Sequence, residues 1–362
     1  MKKFIVSADA LRPALKKLAL AINEKSVLPI TKNIYVNVEK NQVELIATDQ
    51  ELTISCTVEA ETGEGDGFEM LVPFDYLNKL VSVIKSQPMV FEHPSVRRLN
   101  IICENEVYEQ SSLDKFEDFP KLPSKPKKFQ YKLGAEFGKL LATALHTCGK
   151  DNIRPAMTRV LMDITDQSAF LVSTDTYVMY KYRVALESNE AAQLQFSAKM
   201  IKAMEGMEQF ELSWNEKKVC INSDKVTIWA TNHTDRYPNY NAVIPDYHSN
   251  LELDKDLLID QLHKACITSN SAKQTNIILN KAGKVHFETD DPDYSRKIKT
   301  VIEASYTGSV EKISVNAKKM LTVLEQAPAQ VIRLHIHAAT KAILISSADD
   351  ENYLGLVMPL IG

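Results

Sequence analysis

Ala47-Thr48-Asp49 ends a stretch of alternating polar and apolar residues, and the same Thr-Asp pair ends similar stretches at Ser173-Thr174-Asp175 and Glu288-Thr289-Asp290. The pairs are 126 and 115 residues apart, and each separation is close to a third of the 362-residue chain. A single Thr-Asp pair indicates only a strand that runs into a turn. Three pairs at this period indicate an internal repeat of roughly 120 residues.

The sequence around each Thr-Asp pair follows one order of elements. A short apolar strand and an amphipathic helix precede the pair, and a second strand and helix follow it. In the first helix, Leu11, Leu15 and Leu18 recur at helical spacing. The predicted strands and helices are residues 4–6 with 9–22, 70–72 with 76–84, 129–131 with 134–146, 194–196 with 199–207, 251–253 with 255–268, and 313–315 with 318–324.

These six strand–helix units predict an α+β fold, with sheets on one side and helices on the other. Predicted hairpins follow the helices, as in residues 219–231. The Pro-containing stretches 119–123 and 237–245 are typical of linkers. We therefore predict three tandem similar domains with two strand–helix–strand repeats each. Their bounds are residues 1–125, 126–248 and 249–362.

The composition excludes several classes of protein. With 43 basic and 47 acidic residues the net charge is −4, so the chain is not basic all over, although it can still carry a local basic surface. No apolar run approaches the ~18 residues of a membrane span. Ser7 and Asp9 interrupt the first apolar run too early for a signal peptide. We expect a cytoplasmic protein.

The sequence carries no catalytic signature. It has no GxSxG, HExxH, GxGxxG or CxxC motif, and its five cysteines are each more than 40 residues from the next, which indicates structural thiols. His335 and His337 could share a strand face and begin a metal site. The apolar residues that alternate with them favour solvent-facing histidines instead. We expect no catalytic residue, no metal site and no cofactor.

The predicted helices are more basic than the rest of the chain. Counted over residues 9–22, 75–86, 134–146, 198–206, 255–268 and 316–325, the helical segments carry a net charge of +5, whereas the remaining residues carry −9. A basic helical surface would bind the DNA backbone through weak, salt-dependent contacts that are blind to sequence. A protein that binds DNA with such low affinity must enclose the duplex in order to remain on it. The lysines that supply most of this charge are Lys16, Lys17, Lys79, Lys85, Lys199, Lys202, Lys264, Lys318 and Lys319.

Short segments along the whole chain carry a family resemblance. They are Leu28-Pro29-Ile30, Ala47-Thr48-Asp49, Asn152-Ile153-Arg154-Pro155, Ser173-Thr174-Asp175, Arg236-Tyr237-Pro238-Asn239-Tyr240, Val243-Ile244-Pro245, Val315-Asn316 and Val357-Met358-Pro359-Leu360. In their order and spacing, the chain resembles the bacterial DNA polymerase III beta subunits, the sliding clamps. The resemblance implies the DNA-clamp fold, with sheets outside and helices lining a ring.

The resemblance also implies a function and partners. Two copies would form a head-to-tail homodimeric ring of six domains around double-stranded DNA. The ring would act as a processivity factor that tethers the replicative polymerase and repair proteins through a peptide-binding pocket. An ATP-driven clamp loader would open it. The family has no cofactor and no catalytic activity.

Site residues are assigned by position in the family pattern. The partner-peptide pocket maps to Arg154, Met157, Thr174, Tyr177, Met179, Pro238, Val243, Asn316, Leu356, Met358 and Pro359. Thioether and aliphatic walls would make an adaptable apolar groove. The candidate DNA contacts are Lys25, Lys79, Lys150, Lys199 and Lys202, and the candidate dimer contacts are Tyr108 and Ile267.

The sequence departs from the family pattern around the pocket. Thr176-Tyr177-Val178 stands where the family usually has Gly-His-Arg, Ala242 replaces an Arg, and Lys319 replaces a Tyr. The preferred peptide is therefore expected to differ. Two other functions remain open: a protein-interaction scaffold that keeps the fold without encircling DNA, and a nucleic-acid hydrolase, which would need a carboxylate–metal cluster.

Overall fold

The structure is a computed structural model that describes residues 2–63, 67–95, 97–111, 118–124, 131–151, 153–165, 168–186, 191–245, 251–279 and 283–361. The chain divides into two compact units. The first consists of Met1–Gly138 and Lys199–Asn232, and the second of Lys139–Ala198 and His233–Gly362. No described helix is long and apolar enough to span a bilayer.

The strands and helices of the described residues have the following bounds. The strands are β1 Lys2–Ser7, β2 Asn33–Glu39, β3 Gln42–Thr48, β4 Leu52–Glu59, β5 Glu61–Thr62, β6 Phe68–Pro73, β7 Pro88–Ser95, β8 Arg98–Cys103, β9 Glu106–Ser111, β10 Tyr131–Gly134, β11 Val160–Ile164, β12 Ala169–Thr174, β13 Val178–Val184, β14 Ala192–Phe196, β15 Gln209–Trp214, β16 Lys218–Asn222, β17 Val226–Thr231, β18 Leu251–Asp254, β19 Gln274–Leu279, β20 Lys284–Asp291, β21 Arg296–Glu303, β22 Lys312–Asn316, β23 Val331–His335, β24 Ile343–Ser347 and β25 Tyr353–Val357. The helices are α1 Ala8–Leu18, α2 Phe74–Val83, α3 Ala135–Leu145, α4 Ala198–Ala203, α5 Lys255–Thr268 and α6 Ala317–Leu324.

Each third of the chain repeats one order of elements. A strand, a helix and three strands are followed by a second strand, helix and three strands, with the two-residue β5 as an addition in the first third. This order confirms the predicted α+β fold and its six similar units. Residues 129 and 130 of one predicted strand lie outside the described residues, as do the boundaries predicted at 125 and 248.

Four antiparallel sheets build the two units. The first unit contains a five-stranded sheet, β5-β1-β7-β8-β9, and an eight-stranded sheet, β10-β15-β16-β17-β4-β3-β2-β6. The second contains an eight-stranded sheet, β14-β11-β12-β13-β25-β24-β23-β18, and a four-stranded sheet, β21-β20-β19-β22. Among the described residues, β9 and β21 each form the edge of their sheet.

The helices bury one apolar side against these sheets. In α1 the predicted stripe Leu11, Leu15 and Leu18 is almost fully buried, and the Ser7 hydroxyl accepts a hydrogen bond from the Asp9 N–H at the helix start. The α-helix ends at Leu18 rather than residue 22, because a short 3₁₀ helix, Ala19–Ala21, follows it.

A close approach requires glycine at residue 355 in β25. A Cβ there would overlap Val323 Cγ1 and lie 2.6 Å from the Tyr353 hydroxyl oxygen, which donates a hydrogen bond to the Val323 carbonyl. We expect Gly355→Ala to lower the free energy of unfolding by about 1–3 kcal/mol.

Gly138→Ala is the matched control for this prediction. Gly138 lies in α3 with open space around its Cα, so alanine there should raise stability by up to about 1 kcal/mol. Thermal unfolding followed by circular dichroism measures both variants. An equal Tm for Gly355→Ala and the unmodified chain would contradict the packing argument.

Candidate functional site

A side-chain-supported turn after β12 presents Tyr177 to solvent. The Thr174 hydroxyl accepts a hydrogen bond from the Thr176 N–H and donates one to the Val178 carbonyl. The Asp175 carboxylate accepts from the N–H groups of Tyr177 and Val178, both at 2.9 Å. Thr176 adopts a φ of 81°, and Tyr177 is 59% exposed. The buried Thr174, predicted to line the pocket, therefore shapes this turn.

The same turn follows β3 in the first unit. The Thr48 hydroxyl accepts from the Gln50 N–H, the Asp49 carboxylate accepts from the N–H groups of Glu51 and Leu52, and Gln50 has a φ of 76°. Two of the three Thr-Asp pairs are thus structurally equivalent.

The third pair, Thr289-Asp290, differs from the expectation that it ends a strand. It lies inside β20, which continues to Asp291. There the Thr289 hydroxyl bonds to that of Thr275 at 3.0 Å.

A cleft of about 450 Å³ opens beside the Tyr177 turn. We call it the Tyr177 cleft. Three residues of the predicted pocket line it: the exposed Arg154, the buried Met157 and Tyr177. Lys150, Asp151, Asp175 and Lys319 add charged groups to its lining.

Two residues that line the Tyr177 cleft form an ion pair. The Lys319 ammonium pairs with Asp175 Oδ2 and lies 5.6 Å from the centre of the Tyr177 ring. The side chains of Asp175 and Lys319 are 14% and 37% exposed. Asp175 was absent from the predicted pocket, although its place in the Thr-Asp repeat was a signal that could have revealed it.

An apolar cluster lies next to the Tyr177 cleft. Met179 pairs with Leu356 across β13 and β25, and the Met358 N–H donates a hydrogen bond to the Tyr177 carbonyl at 2.8 Å. Burial raises the pKa of Tyr237 and of Tyr240 above the ordinary phenol value. The cluster comprises Ala156, Leu161, Val172, Met179, Tyr237, Tyr240, Ala342, Leu344 and Leu356, with the partly buried Phe170, Ile244, Leu354 and Met358.

The chain after β25 is held in place by backbone contacts. Pro359 forms a β-bridge with Val315, and the Leu360 N–H donates a hydrogen bond to the Ser314 carbonyl. Met358 is thereby fixed between the apolar cluster and the Tyr177 cleft. Residues 358–361 form what we call the C-terminal tail.

The other predicted pocket residues have different roles. The Asn316 side chain caps α6 by accepting from the Lys319 N–H at 2.9 Å, and its amide donates to the Ala272 carbonyl. Val243, which is 50% exposed, ends the 3₁₀ helix Tyr240–Val243 beside the cluster, and Pro238 is half-buried. The structure therefore gathers Arg154, Met157 and Tyr177 at the cleft, and Met179, Leu356 and Met358 at the cluster.

The candidate DNA-binding lysines are all exposed. Lys25, Lys79, Lys199 and Lys202 belong to the first unit, and Lys150 belongs to the second. Two of them already have acidic partners, because Lys79 pairs with Asp75 at 2.7 Å and Lys199 pairs with Asp49 at 2.8 Å.

Lys17 does not belong to the basic surface that the sequence suggested. Its ammonium donates to the carbonyls of Ala203 and Glu205, where α4 ends, and burial lowers its pKa. This lysine has a structural role.

The candidate dimer contacts are both accessible. Tyr108 lies on β9, where its hydroxyl bonds to Glu106 and this bond raises the pKa of Tyr108 to about 12. Ile267 is 79% exposed on α5. They lie in different units.

The described histidine, cysteine and carboxylate side chains were examined for metal-binding or nucleophilic sites. Among the described residues, no group of three or more His, Cys, Asp or Glu side chains is placed to hold a metal ion. All five cysteines are thiols rather than disulfides, and burial raises the pKa of Cys56 and of Cys148 to about 12.

Comparison with known families identifies the fold. Residues 2–123 match the family model of the DNA polymerase III beta subunit, N-terminal domain, and residues 241–361 match that of the C-terminal domain. The chain belongs to the DNA polymerase III beta subunit family. The beta sliding clamps of Pseudomonas putida and Vibrio cholerae are 21% and 22% identical to it, and each alignment covers 99% of both chains.

Solved beta subunits share the whole fold. The DNA polymerase III subunit beta from Pseudomonas aeruginosa superposes with a TM-score of 0.90 at 17% identity over 99% of each chain. The beta chain from Streptococcus pneumoniae gives a TM-score of 0.91 at 16% identity over all of both chains. The predicted DNA-clamp fold is therefore confirmed.

Of the positions expected from the sequence to depart from the family pattern, Thr176, Tyr177 and Lys319 line the Tyr177 cleft. Thr176 occupies a positive-φ position that a glycine would adopt without strain. The Lys319 ammonium lies 5.6 Å from the centre of the Tyr177 ring, whereas Ala242 is exposed in the 3₁₀ helix Tyr240–Val243. The cleft of this chain therefore carries an aromatic ring and an ammonium group side by side.

Proposed function

We propose that the chain is a sliding clamp that encircles double-stranded DNA as a head-to-tail homodimer. Membership of the beta subunit family and the six repeated units support this function. In this proposal residues 1–125, 126–248 and 249–362 are three domains, and two copies supply the six domains of the ring. The ring works in the cytoplasm without catalysis or cofactor, and a clamp loader opens it.

Two sheet edges of opposite charge carry the proposal. β9 has two acidic residues and no basic one, whereas β21 has three basic residues and one acidic one. An open strand edge can pair with a strand of another chain. Because the two edges differ, pairing β9 of one copy with β21 of another is heterologous, and two such interfaces close a ring of two.

Exposed apolar residues accompany both edges. Val107 on β9 is 58% exposed and Tyr76 on α2 is 42% exposed, while Val301 on β21 and Ile267 on α5 are 50% and 79% exposed. Association would remove this apolar surface from water. Tyr108 and Ile267 remain our candidate contacts.

The partner site in this proposal is the Tyr177 cleft together with the apolar cluster. A short peptide of the replicative polymerase, of the loader or of a repair protein would place aliphatic groups against Met179, Leu356 and Met358. Flexible thioethers adapt to varied guests. The polar groups of the cleft would orient the peptide.

Retention on closed DNA tests the proposed function. Native mass measurement should give a dimer of about 81 kDa, twice 40.7 kDa. After loading, the dimer should stay on circular DNA and leave linear DNA by sliding off its ends. Equal retention on both forms would contradict encirclement and would support a non-encircling scaffold instead.

Lys202 provides a test of the DNA-facing surface. It is exposed on α4, and unlike Lys199 it has no acidic partner among the described residues. We expect Lys202→Gln to weaken DNA binding at moderate salt and to reduce the log–log salt slope by about one for a lost phosphate contact.

Lys217→Gln removes the same charge from the exposed β15–β16 turn and is the control. Fluorescence titration of duplex DNA across a salt series measures both slopes. Identical slopes for Lys202→Gln and the unmodified chain would exclude this lysine from the DNA contact.

A further inference from the structure

A cavity of about 350 Å³ lies between α1 and the paired strands β4 and β17, all within the first unit. We call it the α1 cavity. Ala10, Pro13 and Ala14 line one wall, because residues three and four apart share a face of a helix. The strands supply the other apolar groups of the lining, namely Cys56, Val58 and Val226. The α1 cavity therefore falls within the ~300–1,000 Å³ range of small-molecule sites and has their largely apolar lining.

One ammonium group is held in position at this apolar space. Lys17 lines the α1 cavity one turn after Pro13, and it donates to the carbonyls of Ala203 at 2.7 Å and Glu205 at 2.5 Å. These two bonds fix the direction of the side chain. An ammonium has three N–H donors, so one remains for a ligand after the two that the described carbonyls accept.

Burial makes this ammonium a favourable partner for an anion. It lowers the pKa of Lys17, and this effect outweighs the attraction of the nearby Glu205 carboxylate. Low exposure to water weakens the screening of charges, so an anionic ligand beside Lys17 would be attracted more strongly than at an exposed lysine.

The other ionisable groups of the lining leave Lys17 as its net charge. Glu59 and Lys225 pair with each other at 3.3 Å, and both are highly exposed. Cys56 is a neutral thiol, because burial raises its pKa to about 12. Of the described residues that line the α1 cavity, Lys17 therefore provides the one charge that has no opposite charge in the lining.

We propose that the α1 cavity binds a short aliphatic monocarboxylate. Its chain packs against the apolar walls, which removes the chain from water, and its carboxylate accepts a charge-assisted hydrogen bond from Lys17. This inference goes beyond the proposed function and does not depend on it, since the α1 cavity belongs to the first unit and the Tyr177 cleft to the second.

Isothermal titration calorimetry of the full-length protein tests both parts of the ligand. The probes are sodium butanoate, hexanoate and octanoate, with 1-octanol as the uncharged analogue. We expect the affinity to rise about fourfold for each added methylene group, and octanol to bind about tenfold more weakly than octanoate. Undetectable octanoate binding at millimolar concentration, or equal affinity for octanoate and octanol, would overturn the proposal.

Lys17→Met tests the contact with the carboxylate. Methionine keeps an unbranched side chain and removes the ammonium, so octanoate should bind about tenfold more weakly while the affinity for octanol changes less than about twofold. Lys16→Met is the matched control, because Lys16 is exposed on α1 outside the cavity lining and should change neither affinity. An octanoate affinity unchanged by Lys17→Met would refute the role of Lys17.

Ala10→Leu tests the position of the site. Leucine is also a good helix former, and its larger side chain would fill the cavity from the α1 wall. Binding of both octanoate and octanol should fall more than about tenfold, while the Tm stays equal or rises because an open space is filled. Ala142→Leu adds the same bulk on the exposed side of α3 and should leave binding unchanged. Octanoate binding that persists in Ala10→Leu would place the ligand elsewhere and overturn the inference.

Discussion

Changing Lys297 and Lys299 to glutamate is expected to convert the dimer of about 81 kDa into a 40.7-kDa monomer at micromolar concentration. The two substitutions turn the basic β21 edge acidic, so that it faces the acidic β9 edge of the other copy. Like charges juxtaposed in an interface cost several kcal/mol, which weakens association by about a hundredfold or more. Analytical ultracentrifugation measures the change.

A charge swap distinguishes a lost interface from a damaged fold. Lys299 lowers the pKa of Glu288 through a 2.5 Å bond, and Lys297 pairs with Asp290 at 3.9 Å, so the reversed strand also loses two internal ion pairs. A second variant, Glu106→Lys with Glu109→Lys, reverses β9. Each variant alone should be monomeric, and their mixture should form a dimer, because both interfaces of the mixed ring then join opposite charges.

Lys217→Glu with Lys225→Glu alters the net charge by the same amount away from both edges and should leave the dimer intact. A dimer that persists in the Lys297→Glu, Lys299→Glu variant would refute the assignment of β21 to the interface.

Removal of residues 358–362 should abolish partner-peptide binding, with a loss of more than about a hundredfold in affinity. The deletion takes away the Met358 side chain, its hydrogen bond to the Tyr177 carbonyl, and the contacts of Pro359 and Leu360 with β22. A central apolar anchor and its rigid frame carry much of the energy of a peptide interface. Fluorescence anisotropy with a fluorescein-labelled synthetic peptide that carries a leucine anchor measures the loss.

A shorter deletion is the control for the tail. Ile361 is 78% exposed, so removal of residues 361 and 362 alone should leave the affinity nearly unchanged. Ultracentrifugation should show that both truncated proteins remain dimeric, since β9 and β21 lie elsewhere. Unchanged peptide affinity after the longer deletion would refute the position of the pocket.

The sequence predicted the fold well because hydrophobic periodicity and repetition are local signals. The six α-helices of the described residues were anticipated, and α5 begins and ends at the predicted residues. Helix ends were less accurate: α4 ends at Ala203 rather than at residue 207, and the Ala203 and Glu205 carbonyls there accept hydrogen bonds from the distant Lys17. Such long-range bonds leave no periodic trace in the sequence.

Only part of the candidate site could be predicted from the sequence, because its other contacts are also long-range. Position in the family pattern located Arg154, Tyr177 and Met358 around one region. Lys319 and Asp175, which form an ion pair, are 144 positions apart in the sequence, and no sequence motif predicts this contact. The number of lysines also overestimated the positive charge available to bind DNA. A count of charges cannot show which ammonium groups already bond to carbonyl or carboxylate groups of the chain.

The duplicated Thr-Asp turn indicates how a second docking site could be grafted onto the chain. Both copies share three hydrogen bonds from backbone N–H groups to the Thr and Asp side chains, the positive φ and the ion pair to a later helix, so the framework at Asp49 is already in place. The two turns differ in the side chain that they present: the first copy has Glu51 where the second has Tyr177. Equipping the first copy with the aromatic and cationic groups of the other would double the valency of each subunit, and avidity would then strengthen the hold on any partner that presents two peptides.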